Sequence, residues 1–313
     1  MPNSTTTAGI DTSKATLEVA IHGADSAFSA ANAANGWDDI IRRLRQAGVT
    51  RVGIEASGGY ERGIIRHLRR HGFTVVLMQP AQVKAFARLH LRRAKNDRLD
   101  AALIAACVAA IDDDARTSDP RLEMLADHLT FIEQIEEDIA RIKTRLEHIH
   151  APRLRRLAEA DLARLIKRRD AEIARCVADI RKHDDLARRL ALILSVPGIG
   201  TRTAVSLLVR MPELGSVTRE QAAALAGLAP FDDDSGKRRG QRHIAGGRGR
   251  VRRAIYAAAL PAAFRWNPAL VDFYKKLVAA GKPHKLAHTA CARKLLVYAN
   301  TVLQRGEPWV PVG

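Results

Sequence analysis

Four acids in the first hundred residues sit in short, polar, glycine-punctuated surroundings at the ends of apolar runs. Asp11 closes Gly9-Ile10-Asp11-Thr12-Ser13-Lys14, and Glu55 closes Gly53-Ile54-Glu55-Ala56-Ser57-Gly58-Gly59. Asp97 and Asp100 follow in Lys95-Asn96-Asp97-Arg98-Leu99-Asp100-Ala101, where an i, i+3 spacing puts both on one face of a helix. Four carboxylates drawn together repel one another unless a hard divalent cation neutralises them, and an oxygen-only ligand set suits Mg²⁺ or Mn²⁺. A pair of such ions clamps the attacking and leaving oxygens of an in-line phosphoryl displacement. Each acid also has a plain explanation: Asp11 as a turn residue, Glu55 as a helix-start acid, Asp97 as an N-cap. Their joint placement on one sheet favours a shared site.

The second reactive candidate is a hydroxyl. Ser235 lies between the acidic triplet Asp232 to Asp234 and the most basic stretch of the chain. From Lys237 to Arg253 there are eight basic residues, Lys237, Arg238, Arg239, Arg242, Arg248, Arg250, Arg252 and Arg253, with four glycines and no acid. That composition fits a nucleic-acid contact in which backbone approaches phosphate closely. A serine beside a DNA phosphate is a candidate nucleophile when a metal or a base activates it, although Asp-Ser-Gly is by composition also a common turn. Upstream, Val196-Pro197-Gly198-Ile199-Gly200-Thr201 before an apolar helix reads as a helix-hairpin-helix turn whose free N–H groups, at Gly198 and Gly200, accept a phosphate. An ordinary tight turn between packed helices is the alternative.

The elements that must position these groups follow from periodicity. Ala8–Asp11 and Thr16–His22 read as strands of a meander, with a third at Ser26–Ala31. Helix at 38–46, strand at Arg51–Glu55, helix at 60–71 and strand at Phe73–Met78, closed by Pro80, complete a mixed sheet with helices on its faces. Arg98–Ile111 is an alanine-rich helix packed on something. Ile132, Ile135, Ile139, Ile142, Leu146 and Ile149 then form a heptad seam. Pro152 breaks it, and a second stripe runs through Leu162, Ile166, Ile173, Val177 and Ile180. Two such helices pair within one chain as a hairpin or between chains as an oligomerisation arm; the pattern allows both. The remainder is mainly α. The expected division is 1–115, an α/β domain; 120–184, a coiled-coil hairpin; and 188–313, a helical domain containing the hairpin turn and Ser235.

The totals agree with a nucleic-acid enzyme. The 313 residues carry 51 Lys and Arg against 34 Asp and Glu, a formal net charge of +17, and the pI is near 10.5, so a polyanion is the expected partner. No apolar run is long enough to span a bilayer and the N-terminus lacks a signal-peptide pattern, so no membrane partner and a cytoplasmic location are expected. Aromatics are 4% of the chain, which makes base stacking a poor primary mode and leaves backbone charge contacts to dominate. Cys107, Cys176 and Cys291 lie far apart in apolar contexts and read as buried packing residues.

In combination and in order, these motifs resemble the transposases of the insertion-sequence 110 group. The segments that carry the likeness are those around Asp11, Glu55-Ala56-Ser57-Gly58-Gly59-Tyr60, Lys95 to Ala101, Val196 to Gly200, Leu225-Ala226-Gly227-Leu228-Ala229-Pro230 with Asp234-Ser235-Gly236, and Gly281-Lys282-Pro283. They cover nearly the whole length and are specific together though not singly. The resemblance implies an RNase H-like, RuvC-like DEDD domain with Asp11, Glu55, Asp97 and Asp100 as ligands of Mg²⁺ or Mn²⁺. It also implies that Ser235 forms a phosphoserine link to DNA. Implied partners are donor and target DNA, a guide RNA encoded by the element, and further copies of the chain in a dimer or tetramer. The acidic triplet before Ser235 departs from the family pattern. Two other classes are compatible with part of the pattern: a structure-specific, Holliday-junction-type endonuclease, which needs the acids and no serine, and a non-catalytic nucleic-acid-binding protein.

Overall fold

The computed structural model describes residues 6–24, 27–89, 97–111, 119–231 and 243–310, with backbone alone at 97–99 and 231. The chain divides into two compact units, Met1–Ser118 and Asp119–Gly313.

The first unit is built on strands β1 (Thr6–Thr12), β2 (Thr16–Ile21), β3 (Ala27–Ala31), β4 (Val49–Glu55) and β5 (Thr74–Met78), in the sheet order β3-β2-β1-β4-β5. The first three are antiparallel neighbours and β4 and β5 run parallel to β1. Helices α1 (Ala34–Gln46) and α2 (Arg62–Arg70) bury Ile40, Leu44, Ile64 and Leu68 in one core with Ala8, Ile10, Val52 and Ile54. Helix α3 (Pro80–Leu89) comes after β5, where the sequence pattern closes the strand at Pro80 and signals no helix. Proline at a first helical position gives up no hydrogen bond, so the residue that stops a strand also starts a helix.

Helix α4 (Asp97–Ala110) covers the opposite face of the sheet. Two glycines admit it. A Cβ on Gly9 would fall 2.2 Å from the Ala101 carbonyl oxygen and 2.3 Å from the Ala105 nitrogen, and one on Gly53 would fall 2.2 Å from a Val108 methyl. On the same face Thr7 Oγ1 donates to the Ala105 carbonyl at 3.2 Å.

The second unit begins with two long helices, α5 (Pro120–Leu146) and α6 (Pro152–Arg181), that run antiparallel: His128 meets Glu172 at 2.9 Å, and the Arg155 guanidinium donates to the Leu146 carbonyl at 3.2 Å. Pro152 is the first residue of α6, so it re-initiates helix after a short turn. Their proximal ends, Leu122 to Ile132 and Cys176 to Ile180, share one core with the helices that follow. These are α7 (Asp184–Leu194), α8 (Thr201–Arg210), α9 (Arg219–Leu225), α10 (Gly249–Pro261), α11 (Pro268–Ala279) and α12 (His284–Arg305). A π turn, Ala262–Trp266, extends α10, and a two-stranded ladder pairs β6 (Pro230–Phe231) with β7 (His243–Ile244). All three cysteines are buried, and desolvation pushes the Cys176 and Cys291 thiols up to about 11, as expected of packing residues.

Candidate active site

Side chains alternate across a strand, so Thr7, Gly9 and Asp11 share the sheet face that α4 covers, as do Gly53 and Glu55. Ile10 is opposite Ile54 in the parallel pair, so Asp11 and Glu55 are next in register at the same end of two adjacent strands. The close approach of α4 over Gly9 is made by Ala101, and the residue before it in the chain is Asp100. The fold therefore places Asp11 and Glu55 on one face at the carboxyl ends of β1 and β4, with Asp100 in the first turn of the helix that covers that face. Asp97 opens α4, its side chain lying outside the described residues. Among the described residues no three acids or imidazoles stand close enough to share an ion. The donors are nonetheless of the right kind, carboxylates only, on one face of a rigid sheet.

The backbone around these acids is tightly held. Asp11 Oδ1 accepts the Thr12 N–H at 2.9 Å. Asn32 Nδ2 donates both to the Ser13 carbonyl, 2.9 Å, and to the Tyr60 carbonyl, 3.1 Å, tying the turn after β1 to the loop after β4. Asn32 is in turn fixed by the Trp37 indole N–H at 2.9 Å.

Two residues that sequence reasoning missed belong to this region. Glu18 is the register partner of Asp11 on β2, so it is a further carboxylate on the same face; only the hairpin register reveals it. Glu61 is 6% exposed, and its Oε2 accepts from Ser57 N, Ser57 Oγ and Gly59 N at 3.1, 2.9 and 2.8 Å. Burial alone would raise this carboxyl, yet the hydrogen bonds hold it below its ordinary value, so it stays ionised and cinches the loop that follows Glu55.

In the second unit the glycine turn is packed from beneath. Gly198 has φ +96°, and a Cβ there would fall 2.3 Å from the Ala262 Cβ. Asn267, 1% exposed, donates to the Pro197 carbonyl at 3.1 Å. Gly200 is different: it is exposed, a Cβ there would meet open space, and no side chain caps α8 behind it. A cavity of about 590 Å³ opens beside this first turn and is lined by Arg169, Arg181, Thr201 and Arg202 together with Glu136 and Asp170.

The arginines predicted to hold phosphate divide sharply. Arg248 forms a bidentate pair with Glu213 at 2.7 and 2.6 Å and also donates to the Arg210 carbonyl. Arg250 pairs with Glu133 at 2.7 Å, and Arg252 donates to the Gly246 and Gly227 carbonyls at 2.7 and 3.2 Å. Arg253 is exposed and has no such partner among the described residues. The glycines here let backbone approach backbone: a Cβ on Gly247 would fall 2.1 Å from the Gly227 nitrogen. This contact and the β6–β7 ladder fix both ends of the segment that contains Ser235, Lys237, Arg238, Arg239 and Arg242. Those five lie outside the described residues.

Comparison with known proteins bears on what these arrangements do. A family model for the DEDD domain of IS110 elements, described as a transposase, matches residues 8–151, and a second, described as transposase IS116/IS110/IS902 family, matches 190–275. The chain is 26% identical to proteins called pilin gene-inverting protein from Moraxella bovis and Moraxella lacunata, over 82% of this chain and 80% of each relative. It is also 33% identical to an IS110 uncharacterized 43.6 kDa protein of Streptomyces coelicolor, over 39% of this chain and 31% of that protein. A mixed sheet with acids at its strand ends, a helical second unit and these likenesses define an enzyme of DNA recombination, a transposase. With the two models together covering well over half of its length, the chain belongs to the IS110 family of transposases. No helix among the described residues is long and apolar enough to cross a membrane.

Proposed function

We propose that this transposase cuts and rejoins DNA strands through a covalent serine intermediate, with a carboxylate-held divalent metal in the first unit. The observation that carries the reading is the placement of Asp11 and Glu55 at adjacent strand ends, on the face over which α4 brings Asp100. The sheet order, an antiparallel meander with two added parallel strands, supports reading this unit as RuvC-like and RNase H-like. Asp11, Glu55, Asp97 and Asp100 would hold Mg²⁺ or Mn²⁺, which supplies charge neutralisation of the phosphoryl group and activation of an oxygen nucleophile. Glu61 and Asn32 position the loops that present the acids.

Ser235 Oγ bonds to phosphorus, the ester oxygen of one strand leaves with a proton, and the phosphoserine ester retains the bond energy until the hydroxyl of a second DNA end displaces the serine. No water and no external energy enter, which suits a relative named for inverting a gene. Phosphate contacts fall to Gly200, with Gly198 shaping the turn that presents it, and to Lys237, Arg238, Arg239, Arg242 and Arg253. Arg248, Arg250 and Arg252 hold the frame around them and reach the strand only through it. A guide RNA encoded by the element pairs with donor and target DNA, which leaves the protein to grip backbone. The functional division is 1–115, 120–184 and 188–313. The middle part joins copies into a dimer or tetramer through its distal end, where Ile142 and Leu146 are half-buried and Leu154 and Leu157 are exposed.

The test pairs Asp11→Asn, Glu55→Gln and Asp100→Asn with Ser235→Ala, using cognate nucleic acid and Mg²⁺. All four should melt as the wild type does and bind nucleic acid. The acid variants should lose strand cleavage, and Ser235→Ala should lose the protein–DNA adduct that survives SDS. Cleavage by Ser235→Ala without an adduct would make the chain a hydrolytic junction nuclease, and full cleavage by any acid variant would remove that acid from the site.

A further inference from the structure

The chain is poor in aromatic residues, yet two of its most exposed rings lie within three residues of each other. Phe264 and Trp266 are 58% and 56% exposed. Both belong to the π turn that extends α10, closed by the Asn267 N–H on the Ala262 carbonyl at 3.0 Å. Ala262 and Ala263 face the core, so the wide turn throws Phe264, Arg265 and Trp266 outward in succession. One-turn bulges of this kind are frequent at functional sites.

Neither ring is loose. Phe264 leans on Tyr274 with ring centroids 4.9 Å apart, and the Tyr274 hydroxyl is 2.6 Å from His284 Nδ1. The Arg265 guanidinium lies over the Trp266 ring at 4.8 Å. Lys282 and Lys285, both exposed, flank His284. From His243 to Val310 the chain carries twelve Lys or Arg against two acids, and the stretch stays strongly positive although Arg248 and Arg250 are paired with Glu213 and Glu133 outside it. A second copy of this chain would present the same positive field to this face, so self-association there is opposed; a polyanion is drawn to it.

We propose that the Phe264–Trp266 turn is a stacking platform for unpaired nucleotides, with Arg265, Lys282 and Lys285 on the adjoining phosphates. Base faces are available to such rings only where the strand is not in a duplex, and braced rings lose little entropy on binding. The assignment rests on the transposase acting on nucleic acid, and it adds that part of the nucleic acid held by the second unit is single-stranded.

The experiment compares a 30-nucleotide single strand with its duplex by fluorescence anisotropy, in the full-length Asp11→Asn protein so that cleavage does not intervene. Phe264→Ala and Trp266→Ala should each weaken single-strand binding about tenfold and leave duplex binding within about twofold, whereas Phe264→Tyr and Trp266→Phe should bind as the parent does. Thermal melting monitors the fold. Equal weakening for both probes, or none, overturns the platform, as does a drop in oligomeric mass with unchanged single-strand affinity. A parent protein that bound neither probe would overturn the nucleic-acid reading along with it.

Discussion

The proposed active face depends as much on what two residues lack as on the four acids assigned to it. Strand alternation puts Asp11 and Glu55 on α4's side of the sheet, and α4 lies close over that face because Gly9 and Gly53, two positions earlier on the same strands, carry no Cβ to hold it away. Gly9→Val should cost the first unit about 3 kcal/mol in chemical denaturation, since the obstructed groups are backbone atoms that cannot step aside, and it should abolish cleavage with every acid intact. Gly23→Ala, at φ +81° with nothing within 4 Å, should cost about 1 kcal/mol and leave cleavage unchanged. Equal effects at the two positions would dismiss the helix contact as the reason for Gly9. That Asp11 and Glu55 stand at strand ends was legible from residue type and neighbours. The role of Gly9 was not, because the helix it admits lies some ninety residues away in the chain, and neither was Glu18, which only strand register sets beside Asp11.

At the scale of elements, alternation and helical spacing were enough to read the five strands and most helices, while prolines misled in a consistent way. In the sequence Pro80 and Pro152 look like ends of elements, and in the structure they are the first residues of α3 and α6. The same ambiguity attends the turn at 196–200, where the sequence allowed a tight turn or a phosphate site. The structure separates the two demands by residue: Gly198 answers to packing against Ala262 and to its positive φ, and Gly200 faces open space at the start of α8. Gly198→Ala should therefore lower stability by about 2 kcal/mol. Gly200→Asp should preserve or raise it, because aspartate caps helices well, while weakening DNA binding several-fold by repelling phosphate. Denaturation and anisotropy on the two variants decide the matter; unchanged DNA affinity for Gly200→Asp would leave the turn a purely structural one. The basic run shows the reverse error of reading. Its charge was evident, but that Arg248 and Arg250 are committed to Glu213 and Glu133 depends on acids 35 and 117 residues away.

Across the second unit, one buried imidazole makes stability depend on pH. His288 is 7% exposed, its ring centroid lies 4.1 Å from that of Tyr256, and Nε2 has no hydrogen-bond partner among the described residues. Burial pushes its pKa down, against a smaller upward pull from a backbone hydrogen bond at Tyr256. Protonation is thus harder folded than unfolded. Stability should be level above the ordinary imidazole value of about 6.5 and fall as the pH drops below it. His288→Leu should show a shallower decline in denaturation midpoint from pH 7 to 5.5; parallel curves for the two proteins would clear this residue.

The same unit contains a mechanical linkage. Glu133 on α5 takes Arg210 of α8 at 2.9 Å and Arg250 of α10 at 2.7 Å, and Glu136 one turn on takes Arg202 at 2.8 Å. Beyond Glu133, α5 continues for thirteen residues to Leu146, about 20 Å of helix. The hairpin is therefore a lever anchored at its base by two carboxylates one turn apart, Glu133 and Glu136. A load at its far end would arrive as torque on α8 and on α10, the helix that follows β7 after a four-residue connection, and the length of the arm would multiply any rotation at the base.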